Sequence, residues 1–327
     1  MRFFIGFFLL MLSAESVAQD TSYTKVVKLM GSRFDLSVVA PNETEANSYI
    51  NLAIEEITRI EKLISEWDTK SQTSAINRNA GIKPVKVDKE LFELIKRSIQ
   101  ISKLTQGAFD ISFASIDKVW KYDGSMQKLP TEAAIQKSVE KIGYQNIELN
   151  EAQQTVFLKL AGMKIGFGAI GKGYAADKAK QVLIEKGVKA GIINASGDLN
   201  SWGTQPNGDL WKVGITNPLN KEKVFSWLPI ENSAVVTSGN YEKYVTLNGV
   251  RYTHIINPKT GYPVVGLNSV TIFSESAELA DALATAVFVM GLESGMDFIN
   301  QLNGIECIII DADNKIHTST NIKLNEY

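Results

Sequence analysis

A glycine-rich stretch at a predicted helix start is the first feature of this chain that could do chemistry. Residues 166–177 read Gly-Phe-Gly-Ala-Ile-Gly-Lys-Gly-Tyr-Ala-Ala-Asp, which places four glycines within eight residues. Glycine has no Cβ, so this backbone can adopt positive φ and approach a ligand closely. A helix that starts here also offers free N–H groups and a positive dipole end, which suit an anion and most often a phosphate. The spacing matches neither the P-loop nor G-x-G-x-x-G, and a tight strand-to-helix turn without a ligand is the alternative.

A second candidate is a carboxylate and a hydroxyl placed one turn apart on a predicted helix. Asp281 and Thr285 stand four residues apart within a small, apolar segment, so their oxygens share one helix face. Two oxygen ligands on a dry face suit Mg²⁺, which fills its octahedron with water and phosphate oxygens. In the alternative, the aspartate only favours the helix dipole and the threonine bonds the carbonyl one turn back.

A third candidate is the histidine at the end of a predicted strand. His254 is followed by Pro258 and Gly261, which force a turn after Asn257. Histidine at such a place can act as an acid, a base or a phosphate partner, although a lone histidine is more often structural. Two polar loops, 194–198 and 237–241, also follow predicted strands and resemble loops that line a site.

The composition excludes several classes of function. The 34 basic and 36 acidic residues give a net charge of −2 and are mixed along the chain, so nucleic-acid binding is not expected. Two histidines, His254 and His317, are too few for a His-rich zinc site. The single cysteine, Cys307, lies in an apolar run and is predicted to be an inert residue of a buried strand.

The first eighteen residues have the pattern of a secretory signal peptide. Arg2 precedes the apolar run Phe3–Leu12, which is too short to span a bilayer. Ser16 and Ala18 then provide small residues at the −3 and −1 positions of a cleavage site. We predict cleavage after Ala18, one mature domain over residues 19–327, and no transmembrane segment after cleavage.

The elements that must position these residues follow from periodicity and capping. The first predicted helix runs from Asn42 to about Ser65, the second begins at Asp88, and the third runs from Thr131 to about Gly143. The fourth runs from the glycine loop to Gly187, the fifth covers about Ala277–Met290, and the sixth begins near Glu293. The predicted strands cover 25–39 (interrupted at 30–32), 191–193, 211–215, 234–236, 244–247 and 251–256, with hairpins at Asn248-Gly249 and over 306–315. Mixed hairpins and helices predict an α+β fold with mixed or antiparallel sheets and packed helices.

Taken in order, these segments resemble one family, the ApbE flavin transferases. The resemblance rests on the motifs around 30–32, 65–71, 107–110, 168–177, 237–241, 254–263 and 280–285, together with Asn77. It covers about residues 25 to 310. No single motif is decisive, but chance agreement in order and spacing is very improbable.

The resemblance implies a role for particular residues. It implies that seven residues contact FAD, at its flavin or adenine part or elsewhere on the dinucleotide: Met30, Trp67, Ala108, Phe109, Asp110, Lys172 and Ile255. It implies a Mg²⁺ ion held by the carbonyl oxygen of Ala169 and by side-chain oxygens of Asp281 and Thr285. His254 and Asp281 are the candidate catalytic bases, with His254 ranked first.

The sequence departs from the family pattern at several places. Gly166 stands where the loop often has an acidic residue, and Ala195-Ser196 stand where paired glycines are usual. Asn257 replaces a common aspartate, and Trp67 stands where a tyrosine is frequent. The first departure is expected to weaken FAD binding, and the others concern details of the site.

The function implied is Mg²⁺-dependent transfer of FMN from FAD to a Ser or Thr hydroxyl of a periplasmic acceptor protein, with release of AMP. By resemblance, the acceptor is a periplasm-facing subunit of a respiratory complex or a flavin-carrying domain, and the enzyme is itself periplasmic. Two alternatives remain open at this point. One is a Mg²⁺-dependent FAD pyrophosphatase that releases FMN and AMP, and the other is a non-catalytic periplasmic flavin-binding protein.

Overall fold

The structure is a computed structural model that describes residues 20–217, 220–241 and 243–322. The predicted signal peptide, residues 1–18, lies outside these ranges. Within them, no helix is both long enough and apolar enough to cross a membrane.

The secondary structure alternates between hairpins and helices along the chain. The strands are β1 (Thr21–Leu29), β2 (Ser32–Ala40), β3 (Val85–Lys86), β4 (Ile147–Asn150), β5 (Thr155–Leu158), β6 (Gly191–Ala195), β7 (Asp198–Trp202), β8 (Trp211–Asn217), β9 (Asn220–Ile230), β10 (Ala234–Gly239), β11 (Tyr244–Leu247), β12 (Val250–Thr253), β13 (Leu267–Ser274), β14 (Glu306–Asp311) and β15 (Ile316–Thr318). The helices are α1 (Glu43–Ile64), α2 (Gln72–Arg78), α3 (Lys89–Leu104), α4 (Glu132–Ser138), α5 (Gly171–Glu185), α6 (Ala277–Met290) and α7 (Leu292–Asn300).

An antiparallel sheet forms the centre of the described chain. Its strand order is β1-β2-β6-β7-β10-β13-β14-β15, and each neighbouring pair runs antiparallel. Helices α1, α5 and α6 pack side by side against it: α1 contacts β1 and β2, α5 contacts β6 and β7, and α6 contacts β10 and β13. The fold is therefore α+β with antiparallel sheets and packed helices, as predicted.

Local capping and apolar periodicity explain why α1 forms where the sequence predicts it, whereas α3 forms at the predicted place without the side-chain cap expected from Asp88. The Asn42 side chain accepts a hydrogen bond from the Glu45 backbone N–H at 2.9 Å and so caps α1. The apolar stripe of α1 is buried, at Ala46, Ile50, Ala53, Ile57, Ile60 and Ile64. Asp88 precedes α3 but makes no side-chain cap there; its carboxylate accepts instead from Gln72 Nε2 at 2.5 Å.

Both predicted hairpins are present. Asn248 and Gly249 join β11 to β12 with φ of 52° and 79°, the left-handed values that this two-residue turn requires. The C-terminal hairpin pairs β14 with β15. Cys307 lies on β14 and is fully buried, and burial raises the pKa of its thiol to about 12. It is therefore an unreactive thiol at neutral pH, as predicted.

Other predictions about the elements were wrong in extent or missed a strand. Helix α4 ends at Ser138, well before Gly143, because the chain turns there through successive three-residue hydrogen bonds. Strand β12 ends at Thr253 rather than at Ile256, which forms only an isolated bridge with Pro263. No sequence pattern predicted helix α2 or the strands β3, β4, β5, β7, β9 and β13.

Candidate active site

A cavity of about 430 Å³ opens where the starts of α5 and α6 meet the ends of the central strands. Its wall comes from the loop before α5, the turn between β6 and β7, the end of β10, the segment after β12, the first turns of α6 and segment 108–114. Clefts that bind small molecules have volumes of about 300–1,000 Å³. The two polar loops flagged in the sequence, 194–198 and 237–241, both contribute to this wall.

The structure brings most of the predicted site residues together. The cavity is lined by Ala108, Phe109, Asp110, Ala169, Lys172, His254, Ile255, Asp281 and Thr285. Met30 and Trp67 do not line it. The Met30 N–H donates to Glu61 Oε2 at 3.1 Å, which ties this residue to α1. Trp67 is 76% exposed, with Lys118 Nζ 5.1 Å from its ring centroid.

Asp281 is a buried carboxylate that faces the cavity from α6. It is only 4% exposed, and its Oδ2 accepts from the Gly173 backbone N–H at 3.2 Å. Burial raises the pKa of its carboxyl, while the Lys172 charge and the N–H groups of Gly173 and Lys172 oppose that rise. The Gly173 N–H at the start of α5, where the sequence predicted a bound phosphate, therefore contacts a carboxylate of the protein itself. One turn further along α6, Thr285 Oγ1 lies 3.4 Å from Ser238 Oγ.

Three of the four loop glycines, Gly166, Gly171 and Gly173, serve close packing rather than left-handed backbone. None of them has φ in the left-handed region, so the expectation of positive φ was wrong. An ideal Cβ on Gly173 would overlap the carbonyl oxygen of Ala277 at the start of α6, and one on Gly171 would lie 2.8 Å from Ile64 Cδ1. Only at Gly168 is that space open, with no heavy atom within 4 Å. Gly168 is thus the loop glycine whose missing side chain leaves room next to the cavity.

Lys172 forms an ion pair with Asp198, the first residue of β7. The Asp198 side chain is 4% exposed and that of Lys172 is 28% exposed. Both residues line the cavity, so this pair fixes the lysine at the edge of the glycine loop. Asp198 was not predicted as the partner of Lys172 because the two residues are 26 positions apart.

We expect Lys172→Ala to destabilise the fold more than the double change Lys172→Ala with Asp198→Ala. The single change leaves a buried carboxylate without its cation, and an unsatisfied charged group costs at least about 1–3 kcal/mol. Thermal unfolding of the two variants checks this. Equal melting temperatures would contradict the importance of the ion pair.

Asp110 is held rigidly at the cavity wall. Its Oδ1 accepts from the Ser112 N–H at 2.8 Å and from the Ser112 hydroxyl at 2.6 Å, and its Oδ2 accepts from the Tyr144 N–H at 2.8 Å. Burial raises the pKa of this carboxyl, and these hydrogen bonds oppose the rise. Asp110 thereby caps the 3₁₀ turn Ile111–Ser115.

His254 follows β12 directly, whereas the sequence predicted that this strand would continue through it to Ile256. Its backbone N–H donates to the Lys243 carbonyl at 2.9 Å, and its Nδ1 lies 3.1 Å from the same oxygen. A carbonyl oxygen can only accept, so Nδ1 carries the hydrogen in this contact and the neutral ring keeps its lone pair on Nε2. That tautomer makes Nε2 the basic nitrogen.

The structure accounts for the sequence departures at three positions. Ser196 has φ of 58°, so it adopts the backbone conformation that a glycine would favour. Asn257 Oδ1 accepts from the Lys259 N–H at 2.9 Å and closes the turn as an aspartate would. The space beside Gly166 is taken by the carboxylate of Glu66, a cavity residue for which the sequence predicted no role.

The available ligands fit a hard cation rather than a transition metal. Among the described residues, no group of three His, Cys, Asp or Glu side chains could hold a metal ion. Asp281, Thr285 and the carbonyl of Ala169 instead offer a few oxygens on one cavity wall. Mg²⁺ is commonly bound by one or two carboxylates and completes its shell with water and phosphate oxygens.

The fold and cavity define an α+β protein with a polar cleft built around a glycine-rich loop and one buried carboxylate. The chain belongs to the ApbE family, whose model matches residues 30–309.

Its relatives and solved neighbours agree with this assignment. It is 31% identical to the FAD:protein FMN transferase of Treponema pallidum over 84% of this chain and 81% of the relative. It is also 31% identical to one from Klebsiella pneumoniae, over 93% and 94% of the two chains. The crystal structure of the ApbE protein of Thermotoga maritima superposes with a TM-score of 0.83 at 30% identity, covering 91% of this chain and 97% of that one.

Proposed function

We propose that this protein is a Mg²⁺-dependent FAD:protein FMN transferase. The observation that carries the proposal is the convergence of Asp281, Thr285, Lys172 and His254 on one cavity. The relatives named FAD:protein FMN transferase share most of the chain's length with it, which supports FAD as the substrate and a protein as the acceptor.

The proposed reaction exchanges the phosphoanhydride bond of FAD for a phosphate ester bond to the acceptor. The oxygen of an acceptor Ser or Thr hydroxyl attacks the phosphorus of the FMN half of FAD and forms a new P–O bond. The pyrophosphate P–O bond breaks, and AMP leaves with the bonding electron pair. The hydroxyl proton passes to a base, for which Nε2 of His254 is the first candidate and Asp281 the second.

The residues of the cavity divide this work among them. Lys172, kept in place by Asp198, offers positive charge to the pyrophosphate. Segment 108–110 and Ile255 supply the wall against which the rest of the dinucleotide lies. Asp281, Thr285 and the carbonyl of Ala169 would hold Mg²⁺; when bound, the ion neutralises charge on the pyrophosphate oxygens.

The cell compartment and the acceptor are part of the same proposal. A signal peptide at residues 1–18 would deliver a single domain, residues 19–327, to the periplasm. The acceptor there would be a periplasm-facing respiratory subunit or a flavin-carrying domain.

We expect the mature protein to begin at Gln19, because Ser16 and Ala18 satisfy the small-residue rule for cleavage. N-terminal sequencing of the protein recovered from the periplasmic fraction checks this. Recovery of Met1 on the active protein would contradict export by cleavage.

The proposed function is tested by following AMP and FMN with and without acceptor. Purified protein is incubated with FAD and Mg²⁺, and the nucleotides are separated by chromatography. A transferase releases AMP only when a flavin-carrying acceptor domain is present, with little free FMN. Equal amounts of AMP and free FMN without acceptor would indicate a pyrophosphatase, and unchanged FAD with acceptor present would indicate a binding protein.

A further inference from the structure

We propose that Glu66 is a specificity-determining residue of the cavity, whose carboxylate accepts a hydrogen bond from an N–H or O–H group on a ring or sugar of the bound dinucleotide. This inference rests on the proposed function in that it takes FAD as the ligand. It assigns a binding role to a residue that lies beside the exposed Trp67 and contributes to the cavity wall itself.

The position of Glu66 is fixed by the end of α1 and by the glycine loop. Ser65 ends α1 as its C-cap, and the Glu66 backbone carbonyl accepts from Ser74 Oγ at 3.0 Å. Its side chain then reaches the start of the loop. An ideal Cβ on Gly166 would lie 2.9 Å from Glu66 Oε2 and 3.0 Å from Ala114 Cβ. The carboxylate therefore fills the space that the missing Gly166 side chain leaves.

The carboxylate is partly desolvated and lacks a protein donor. Burial raises the pKa of Glu66, and the charges of Lys164 and Lys118 oppose that rise. No hydrogen bond or ion pair joins this carboxylate to another residue in residues 20–217, 220–241 and 243–322. The adjacent Gly166 N–H is already bonded to the Ile111 carbonyl at 2.9 Å. A half-buried acceptor without a donor is a group whose hydrogen bond a ligand can complete.

The chemistry of the ligand group follows from the carboxylate and its surroundings. An ionised carboxylate accepts hydrogen bonds and donates none, so its partner carries N–H or O–H. The nearby cavity wall is apolar, with Ile111, Phe113 and Ala114, which suits a planar ring. Phosphates are repelled by a carboxylate and belong near Lys172. The donors of FAD that remain are the adenine amino group, the sugar hydroxyls and the ring N–H of the flavin.

The direction in which FAD affinity changes when the Glu66 charge is removed distinguishes a hydrogen bond from simple charge repulsion. FAD carries negative phosphates, so removal of a nearby negative charge by itself strengthens FAD binding. Loss of a hydrogen bond to a charged acceptor weakens it, by about 1.5–3 kcal/mol, which corresponds to roughly 10–150-fold in affinity.

The experiment measures FAD affinity of the whole mature protein by calorimetry in the presence of Mg²⁺. We expect Glu66→Gln to bind FAD at least about tenfold more weakly than the parent. Glu55→Gln, which alters an exposed carboxylate of α1 outside the cavity, is the matched control and should bind like the parent. Unchanged or tighter FAD binding by Glu66→Gln overturns the inference.

A relocated carboxylate provides a second test. Gly166 does not need left-handed backbone, and two of its three nearest contacts belong to Glu66 itself. We therefore expect the double variant Glu66→Ala with Gly166→Asp to bind FAD more tightly than Glu66→Ala alone. No recovery of affinity in a folded double variant contradicts recognition by a carboxylate at this place.

Titration with AMP and FMN separately identifies the donor. Weaker binding of AMP alone to Glu66→Gln assigns the contact to the adenine or its ribose, and weaker binding of FMN alone assigns it to the flavin or its ribityl chain. Measurements on the parent protein distinguish a failure of the proposed function from a failure of the role of Glu66. If the parent binds FAD but never cleaves it, the proposed transferase is contradicted. If Glu66→Gln binds FAD like the parent, only the role of Glu66 is contradicted.

Discussion

Replacement of Asp281 with Asn is expected to abolish FMN transfer and AMP release while the fold persists. Asn keeps the volume of the side chain and removes a charge that burial already disfavours, so the protein should remain folded. The lost oxygen charge removes the main protein ligand proposed for Mg²⁺, and we expect a loss of at least about a hundredfold in turnover. Rates of AMP release and direct Mg²⁺ titration by calorimetry measure the two effects.

The matched control for Asp281 is Asp297→Asn, an exposed carboxylate on α7 away from the cavity. That variant should turn over FAD and bind Mg²⁺ like the parent. Undiminished turnover in Asp281→Asn, or unchanged Mg²⁺ binding, would exclude Asp281 as a metal ligand.

Replacement of Gly173 with Ala is expected to lower the melting temperature by roughly 2–10 °C, the effect of overpacking by about 1–3 kcal/mol. The added Cβ would overlap the Ala277 carbonyl oxygen, and neither atom can move without separating α5 from α6. The same separation moves the Gly173 N–H away from Asp281, so activity should fall with stability. Thermal unfolding followed by circular dichroism, together with AMP release, measures both.

Gly168→Ala is the matched control, because no heavy atom lies within 4 Å of its ideal Cβ. Its melting temperature should equal or slightly exceed that of the parent. A melting temperature for Gly173→Ala equal to that of Gly168→Ala would show that the two helices do not depend on the close contact at Gly173.

The sequence predicted those parts of the fold that depend on local signals. Helix α1 has an N-cap at Asn42 and a regular apolar stripe, and the β11–β12 hairpin has Asn248-Gly249 at its turn. Strand β7 was missed because all five of its residues are buried and no apolar alternation marks it. Its polar side chains are satisfied by distant partners: Lys180 Nζ donates to Asn200 Oδ1 at 2.8 Å.

The candidate site was predictable where residue type and spacing carried the chemistry. The four-residue spacing of Asp281 and Thr285 and the strand-end position of His254 placed all three on the cavity. The ion pair between Lys172 and Asp198 and the position of Glu66 beside Gly166 depend on contacts between distant segments. Periodicity carries no signal for such contacts. The packing role of Gly171 and Gly173 was missed for the same reason, since it depends on α1 and α6.

The measurement that tests the central claim most directly is the intact mass of an acceptor after reaction. A recombinant periplasmic flavin-carrying domain is incubated with FAD, Mg²⁺ and either the parent or Asp281→Asn. With the parent, we predict an acceptor heavier by one FMN less one water, localised to a Ser or Thr, and one AMP released per modified acceptor. An acceptor of unchanged mass while FAD is converted to free FMN and AMP would contradict the account.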